Sequence, residues 1–149
     1  MIKCIGCLIY DCSKDMVLLQ QRGKNCSYPM KLGLWGGKME QSEDFATALA
    51  RELREELGVF PEYEKLYPLD TFLSDDSKFI YYSFVMVGQG FEVKSIRKEE
   101  TFDFVWMPLN LIKRLNLHPG FRKTLEKKME YLDSITQIEH HKHLKNKLI

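Results

Sequence analysis

Three glutamates near the middle of the chain have the spacing that chemistry at one site would require. Glu52, Glu55 and Glu56 stand at i, i+3 and i+4, so on an α-helix their carboxylates project from one side. Like charges this close repel, and Arg51 and Arg54 could neutralise them on a solvated, salt-bridged surface. Alternatively, the carboxylates hold hard divalent cations such as Mg²⁺ or Mn²⁺, which prefer oxygen ligands. The three glutamates by themselves leave both interpretations open.

The helix that must carry these glutamates is predicted over residues 44–57. Its apolar residues recur every four positions, with alanines beside them, which is the pattern of a helix packed against a core. Ser42 is positioned to cap the first turn and Gly58 to end the helix. Residues 35–40, just upstream, contain paired glycines and are predicted to form a turn. The apolar stripe consists of Phe45, Leu49, Leu53 and Leu57.

The remaining segments alternate between strand and helix patterns, which is typical of an α/β protein. The first two strands are predicted to form a hairpin, and a loop is predicted over residues 22–34. The tail, about residues 135–149, is basic and contains His140, His141 and His143. We expect it to be a frayed helical extension or disordered, with only adventitious metal binding. Strands are predicted over residues 3–10, 16–21, 69–73, 79–87 and 101–107, and helices over residues 109–115 and 121–132.

Composition narrows the function classes. The 149 residues suit a single domain, and 44% apolar with 29% charged residues is typical of a globular protein. A formal net charge of +1 argues against a protein that coats nucleic acid. The sequence predicts neither a signal peptide nor a membrane helix. Cys4 and Cys7 would lie on opposite faces of a strand, and we expect reduced cysteines and a cytoplasmic location.

The residues upstream of the glutamates favour the metal interpretation. Their types and spacing resemble the Nudix box, the signature of the Nudix (MutT-type) hydrolase family, and the strict match runs from Gly37 to Val59. A looser resemblance extends from the opening strands to about Ile112. So many identities at fixed spacing are a specific signal. The matching positions are Gly37, Glu43, Arg51, Glu52, Leu53, Glu55, Glu56, Gly58 and Val59.

The resemblance implies a fold and a set of site residues. The fold would be an α/β/α sandwich with a mixed β-sheet, in a single domain over residues 1–149. The implied metal ligands are the backbone carbonyl of Gly36 and the carboxylates of Glu52, Glu55, Glu56 and Glu100. The four glutamates are also the catalytic candidates. Glu100 is included because relatives often supply a further glutamate before a late strand like the one containing Trp106; a simple charged loop residue is the alternative.

Other residues are expected to support the site or to contact substrate. An ion pair between Glu43 and Arg51 would brace the glycine turn against the helix. Gly36 and Gly37 would let the backbone turn tightly and approach a phosphate or metal without a side chain in the way. Arg22 and Lys38 could bind phosphates. Many relatives have proline where this chain has Trp35. Trp35 could stack on a base, although a buried position in the core is favoured.

The function that the resemblance implies is metal-dependent hydrolysis of a diphosphate linkage in a nucleoside diphosphate-linked substrate. The substrate could be a nucleoside triphosphate, including oxidised forms, or an ADP-ribose-like compound; sugar nucleotides and dinucleoside polyphosphates stay open. Mg²⁺ or Mn²⁺ would be the cofactor. Neither membrane association nor a stable nucleic-acid complex is expected. The resemblance leaves a homodimer open. The rival hypothesis is a non-catalytic module that senses a nucleotide or binds a partner.

Overall fold

Residues 1–148 are described by a computed structural model, and they form a mixed β-sheet between helices. The strands are β1 (Ile2–Asp11), β2 (Met16–Arg22), β3 (Leu32–Gly33), β4 (Trp35–Lys38), β5 (Lys65–Leu73), β6 (Phe79–Gly88) and β7 (Thr101–Met107). The helices are α1 (Phe45–Leu57), a 3₁₀ helix (Leu109–Arg114) and α2 (Pro119–Lys147). Along the sheet the order is β3-β2-β1-β6-β5, with β4 paired to β1 and β7 paired to β2. The predicted α/β sandwich with a mixed sheet is confirmed.

Strand β1 is the centre of the sheet, and its alternating side chains build two apolar cores. It runs parallel to β6 and antiparallel to β2 in the predicted hairpin. Ile5, Cys7 and Ile9 face α1, whereas Leu8 and Tyr10 face the core covered by the 3₁₀ helix and α2. All five side chains are buried, because a central strand covered on both faces has no solvent side. The sheet is therefore a rigid platform under α1.

The segment predicted as a turn over residues 35–40 is instead largely strand. Trp35–Lys38 forms β4, which pairs antiparallel with the first half of β1, with Cys7 opposite Trp35 and Cys4 opposite Lys38. The prediction was wrong because paired glycines usually mark turns. In this chain they allow the backbone of β4 to lie close to β1. The strand ends at Lys38, and the chain then turns towards α1.

Helix α1 agrees with the prediction except at its first residue. Asp44, rather than Ser42, is the N-cap, and its carboxylate accepts the backbone N–H of Thr47 at 2.8 Å. Ser42 has a positive φ of 73° and lies in the turn before the helix. Gly58 ends the helix in the left-handed conformation, as predicted, and its N–H donates to the Arg54 carbonyl. The caps fix the helix register and with it the direction of the glutamates.

Two other elements are longer or tighter than predicted. Strand β5 begins at Lys65 rather than at residue 69 and passes through Pro68. The strand tolerates proline because it is at the sheet edge and its pairing shifts between Pro68 and Asp70. The helix predicted over residues 109–115 is a 3₁₀ helix, Leu109–Arg114. These differences leave the order of elements unchanged.

The tail continues α2 as a helix to Lys147, so of the two alternatives the structure has the helical extension. Ile135, Thr136 and Glu139 are buried against the rest of the protein. The carboxylate of Glu139 accepts hydrogen bonds from the Tyr67 hydroxyl at 2.5 Å and from the Lys65 ammonium at 3.0 Å. These contacts attach the last turns of α2 to β5. Whether the chain acts as a single domain stays a prediction.

No helix among residues 1–148 is long and apolar enough to cross a membrane. All four cysteines are free thiols, as expected: Cys4, Cys7, Cys12 and Cys26.

His118 makes the stability of the fold sensitive to acid. Its Nδ1 accepts the Gly120 N–H at 3.0 Å, which caps α2. Burial, together with the charges of Arg22 and Lys31, lowers the pKa of His118 from 6.5 to about 4. The unfolded chain therefore takes up this proton more readily than the folded protein does. The stabilising effect of the neutral imidazole is complete above pH 6.5 and is lost as the pH falls towards 4.

We expect the free energy of unfolding of the natural protein to fall more steeply between pH 6.5 and 4 than that of His118→Asn. Asparagine caps a helix but does not titrate. Urea unfolding followed by circular dichroism at each pH measures both proteins. Parallel curves over this range would show that His118 does not control the acid sensitivity.

Candidate active site

Helix α1 presents its three central glutamates beside the glycine-containing strand β4. Glu52 is 7% exposed and Glu56 is 1% exposed, whereas the side chain of Glu55 is 40% exposed. Of the three glutamates, only Glu55 therefore has the exposure expected of a solvated helix face. Burying carboxylates costs free energy unless they are hydrogen-bonded or paired with cations. The burial of Glu52 and Glu56 therefore excludes an ordinary solvated helix surface at these two positions.

Glu56 is held from two sides. One carboxylate oxygen accepts the Gly36 N–H at 2.7 Å, and the other accepts the side-chain amide of Gln20 at 2.5 Å. Burial raises the pKa of Glu56 well above its usual value, and the charges of Glu52 and Glu100 add to the rise; the two hydrogen bonds oppose it. The carboxylate is thus fixed in direction, in surroundings that favour additional positive charge nearby.

Arg51 joins the turn before α1 to the helix itself. Its guanidinium makes a bidentate pair with Glu43, with both distances 2.8 Å, so the predicted ion pair is present. It also donates to Glu52 at 2.9 Å and to the Lys38 carbonyl at 3.0 Å. Hydrogen bonds from Arg51 lower the pKa of Glu43 to about 2. Burial raises the pKa of Glu52, which Arg51 partly offsets.

The two glycines of β4 are required for different reasons. A Cβ on Gly36, whose φ is 144°, would lie 2.0 Å from the Ile5 carbonyl oxygen of β1. A Cβ on Gly37 would lie 2.7 Å from both carboxylate oxygens of Glu52. Only Gly37 therefore keeps space free at the carboxylates. The expectation that Gly36 must lack a side chain to admit a ligand is corrected, because its bare side faces β1; the role of its carbonyl as a ligand stays a prediction.

Glu100 lies on the same side of the protein as Glu52 and Glu56, immediately before β7. It is exposed, and the residue that follows it, Thr101, shares the Gln20 side-chain amide with Glu56. Its carbonyl accepts the Gly23 N–H at 2.9 Å, which fixes the segment to the end of β2. Two chain segments distant in sequence thus bring acidic groups to one surface.

The predicted substrate-contacting residues have different surroundings. Arg22 and Lys38 are the last residues of β2 and β4. The Arg22 guanidinium donates to the Ser27 carbonyl at 2.7 Å, and Lys38 is exposed. Trp35 is fully buried, and its ring N–H donates to the Leu18 carbonyl at 3.1 Å. An indole enclosed in the core cannot reach a base, so the favoured core position is confirmed and the substrate-binding role of Trp35 is corrected.

Sequence reasoning missed two polar residues behind the carboxylates. Gln20 and Thr101 are buried, and the Gln20 amide donates to both Glu56 and the Thr101 hydroxyl. A signal was present in strand parity: Gln20 shares its face of β2 with Leu18, which is in the α1 core. A glutamine at such a position needs a buried partner. The partner itself, 36 residues away on α1, could not be found from the pattern of β2.

The donor set suits a divalent cation of the Mg²⁺ class, since it consists of carboxylate oxygens next to a glycine whose missing Cβ leaves space. Within residues 1–148 no three acidic, cysteine or histidine side chains are already arranged to hold a metal ion. Two of the α1 carboxylates are paired with arginines instead: Arg51 contacts Glu52, and Arg97 contacts Glu55 at 3.4 Å. His140, in the tail, is separate from this site, with its ring nitrogen 2.7 Å from the Cys12 carbonyl oxygen.

Comparison with known proteins gives a consistent family. The model of the NUDIX domain matches residues 2–128. A protein of Bacillus subtilis described as an uncharacterized Nudix hydrolase, YvcI, is 30% identical over 112 residues, which is 71% of this chain and 66% of that protein. The match spans just under two thirds of that relative's length.

Solved structures show the same fold. The MutT protein of Methanosarcina mazei Go1 superposes with a TM-score of 0.66 at 25% identity, over 87% of this chain and 94% of that one. The Nudix domain of Shewanella oneidensis NrtR, complexed with ADP ribose, gives a TM-score of 0.70 at 19% identity, over 89% and 88% of the two chains. The second likeness, at its low identity, is evidence of fold only.

Arg51→Lys should lower the free energy of unfolding by about 1–3 kcal/mol, because one ammonium cannot replace the hydrogen bonds to Glu43, Glu52 and the Lys38 carbonyl together. Urea denaturation measures the loss. The matched control is Arg54→Lys on the exposed side of α1, which we expect to change stability by less than about 0.5 kcal/mol. Equal losses in the two variants would contradict the bracing role.

Proposed function

Because the chain belongs to the Nudix family, we propose that it is a divalent-metal-dependent pyrophosphohydrolase acting on a nucleoside diphosphate-linked substrate. The observation that carries the proposal is the burial of Glu52 and Glu56 side by side against the glycines of β4. A protein without use for these charges would gain stability from apolar residues there. The complete set of glutamates favours an enzyme over a nucleotide-sensing module.

In the proposed reaction, a water oxygen attacks one phosphorus of the diphosphate and the bridging P–O bond breaks. The bridging oxygen leaves with the other phosphate, and the water gives up a proton. Bound Mg²⁺ or Mn²⁺ would neutralise the diphosphate and lower the pKa of the attacking water. Glu52, Glu55 and Glu56, with the Gly36 carbonyl and Glu100, would hold the metal. A carboxylate would accept the proton, and Glu100, which is exposed and lies outside α1, is the proposed base.

Arg22 and Lys38 are the proposed phosphate-binding residues. Both end strands at the edge of the site and both are cations. Arg22 is preorganised by its hydrogen bonds to the carbonyl and hydroxyl of Ser27 at 2.7 and 2.9 Å, which reduces the entropy lost on binding an anion. Arg51 is not free for this role, since Glu43 and Glu52 occupy its guanidinium. Its task in the reaction is to position Glu52 and the turn.

The proposed substrate is a nucleotide-derived small molecule, either a nucleoside triphosphate (oxidised forms included) or an ADP-ribose-like compound. The ADP ribose complex of the Shewanella domain supports including ADP-ribose-like compounds in a test. We further propose a cytoplasmic location, consistent with four free cysteines. A homodimer stays an untested expectation.

A hydrolysis screen, with the products of each reaction separated by anion-exchange chromatography, tests the proposal. The protein is incubated with Mg²⁺ or Mn²⁺ and nucleoside triphosphates, 8-oxo nucleotides, ADP-ribose, sugar nucleotides or dinucleoside polyphosphates. We expect turnover of one class, reduced at least about 100-fold in Glu56→Gln, because the variant loses a ligand charge. Glu126→Gln, an exposed glutamate on α2, is the control and should retain full activity.

Turnover that persists in Glu56→Gln at the natural rate would remove Glu56 from the metal site. Metal-independent turnover would contradict the proposed class of reaction. Binding of a nucleotide without turnover of any compound would favour the sensing module instead.

Glu100→Gln should lower kcat by about tenfold or more with little change in KM, because a base acts in the transition state rather than in substrate binding. Steady-state kinetics on the substrate found in the screen measures both constants. Glu99→Gln changes the same charge one residue earlier in the same exposed segment. If the two variants behave alike, Glu100 is only a charged residue of the loop.

A further inference from the structure

Gln20 is a polar side chain on a face of β2 whose other buried side chain, Leu18, is apolar. It is 4% exposed and lies on the face of β2 that covers α1. Burying a primary amide costs free energy unless its N–H groups find acceptors. Its neighbour on the strand, Gln21, has the opposite orientation and donates to the Met30 carbonyl at 3.1 Å. The chain therefore maintains two adjacent glutamines with different tasks.

Both N–H groups of Gln20 have buried acceptors. The amide nitrogen is 2.5 Å from a Glu56 carboxylate oxygen and 2.6 Å from the Thr101 hydroxyl oxygen. Thr101 is fully buried. With its nitrogen towards Glu56, the amide donates one N–H to the carboxyl group and the other to the Thr101 hydroxyl. The planar amide therefore keeps Glu56 and Thr101 at a set separation.

Thr101 connects this amide to the other acidic segment. It is the first residue of β7 and directly follows Glu100. The pairing of β2 with β7 shifts between Gln21 and Arg22, so that Thr101 lies opposite Arg22. The shift brings the Thr101 hydroxyl within reach of Gln20, and the bond from Gly23 to the Glu100 carbonyl holds the same segment from the other side.

We propose that Gln20 and Thr101 are positioning residues for the metal site: they orient the Glu56 carboxylate and set its place relative to Glu100. The proposal rests on the proposed function, since it assigns these residues a task in metal binding. Each oxygen of Glu56 accepts one protein hydrogen bond, from Gly36 or Gln20, and retains a second acceptor site for a cation. Without Gln20, the Glu56 carboxylate would be free to rotate. Its conformational entropy would then be lost when the metal binds, which weakens binding.

The test is Gln20→Met, which keeps the length and approximate volume of the side chain but removes both donors. Mn²⁺ binding is measured by electron paramagnetic resonance of the free ion, without substrate. We expect binding to weaken about 10–100-fold, as for other residues that orient metal ligands. In the assay, kcat and the Mn²⁺ activation constant should change more than the KM for substrate.

Gln21→Met is the matched control, since it makes the same replacement on the opposite face of the same strand. It should bind Mn²⁺ like the natural protein. A second pair covers failure of Gln20→Met to fold: Thr101→Val removes the hydroxyl with little change in shape, and Thr101→Ser retains it. We expect weaker Mn²⁺ binding in Thr101→Val and near-natural binding in Thr101→Ser.

The outcomes separate this proposal from the previous one. A natural protein that binds Mn²⁺, together with Gln20→Met and Thr101→Val variants that are folded and bind it equally well, would overturn the positioning role and leave the hydrolase proposal intact. A natural protein that neither binds Mn²⁺ nor hydrolyses any compound in the screen would overturn both. Equal weakening in Gln20→Met and Gln21→Met would assign the effect to strand packing and reject the positioning role.

Discussion

The burial of the Glu56 carboxylate is the constraint on which the surrounding structure depends. A buried acid needs donors on both oxygens, and the fold supplies a backbone N–H from β4 and a side-chain amide from β2. The first donor is available only because Gly36 lets β4 lie against β1, where any Cβ would collide with the Ile5 carbonyl. A single carboxylate thus couples the packing of α1 to the pairing of two strands.

Arg51 solves the complementary problem of like charges along one helix. It neutralises Glu52 and Glu43 together and also contacts a backbone carbonyl, so the turn and α1 behave as one unit. The apolar stripe of the helix packs on a sheet whose central strand is buried on both faces. The acidic groups consequently rest on a buried and closely packed part of the fold, which suits the precise placement of side chains.

Much of the candidate site could be predicted from the sequence because most of its residues lie close together in the chain. The glutamates, Arg51 and Glu43 lie within one helix and its approach, where helical spacing fixes what can meet. Gln20 and Thr101 escaped prediction since their partner is remote in sequence. For the fold, the hairpin and α1 were predicted from periodicity. Strand β4 was missed because its glycines serve close approach rather than a turn. For Trp35 the sequence favoured the core but left base stacking open, because burial depends on tertiary packing.

The edge strand β5 has a consequence for how copies of this chain meet. Pro68 offers no N–H to an incoming strand, and the adjoining shift in pairing at Asp70 interrupts the regular ladder. The Pro68 carbonyl is engaged as well, accepting the Tyr131 hydroxyl from α2 at 2.6 Å. A further strand would therefore find an irregular and partly occupied row of hydrogen-bonding groups. Pro68, which lies just before the part of β5 predicted from the sequence, thus protects the sheet against edge-to-edge aggregation.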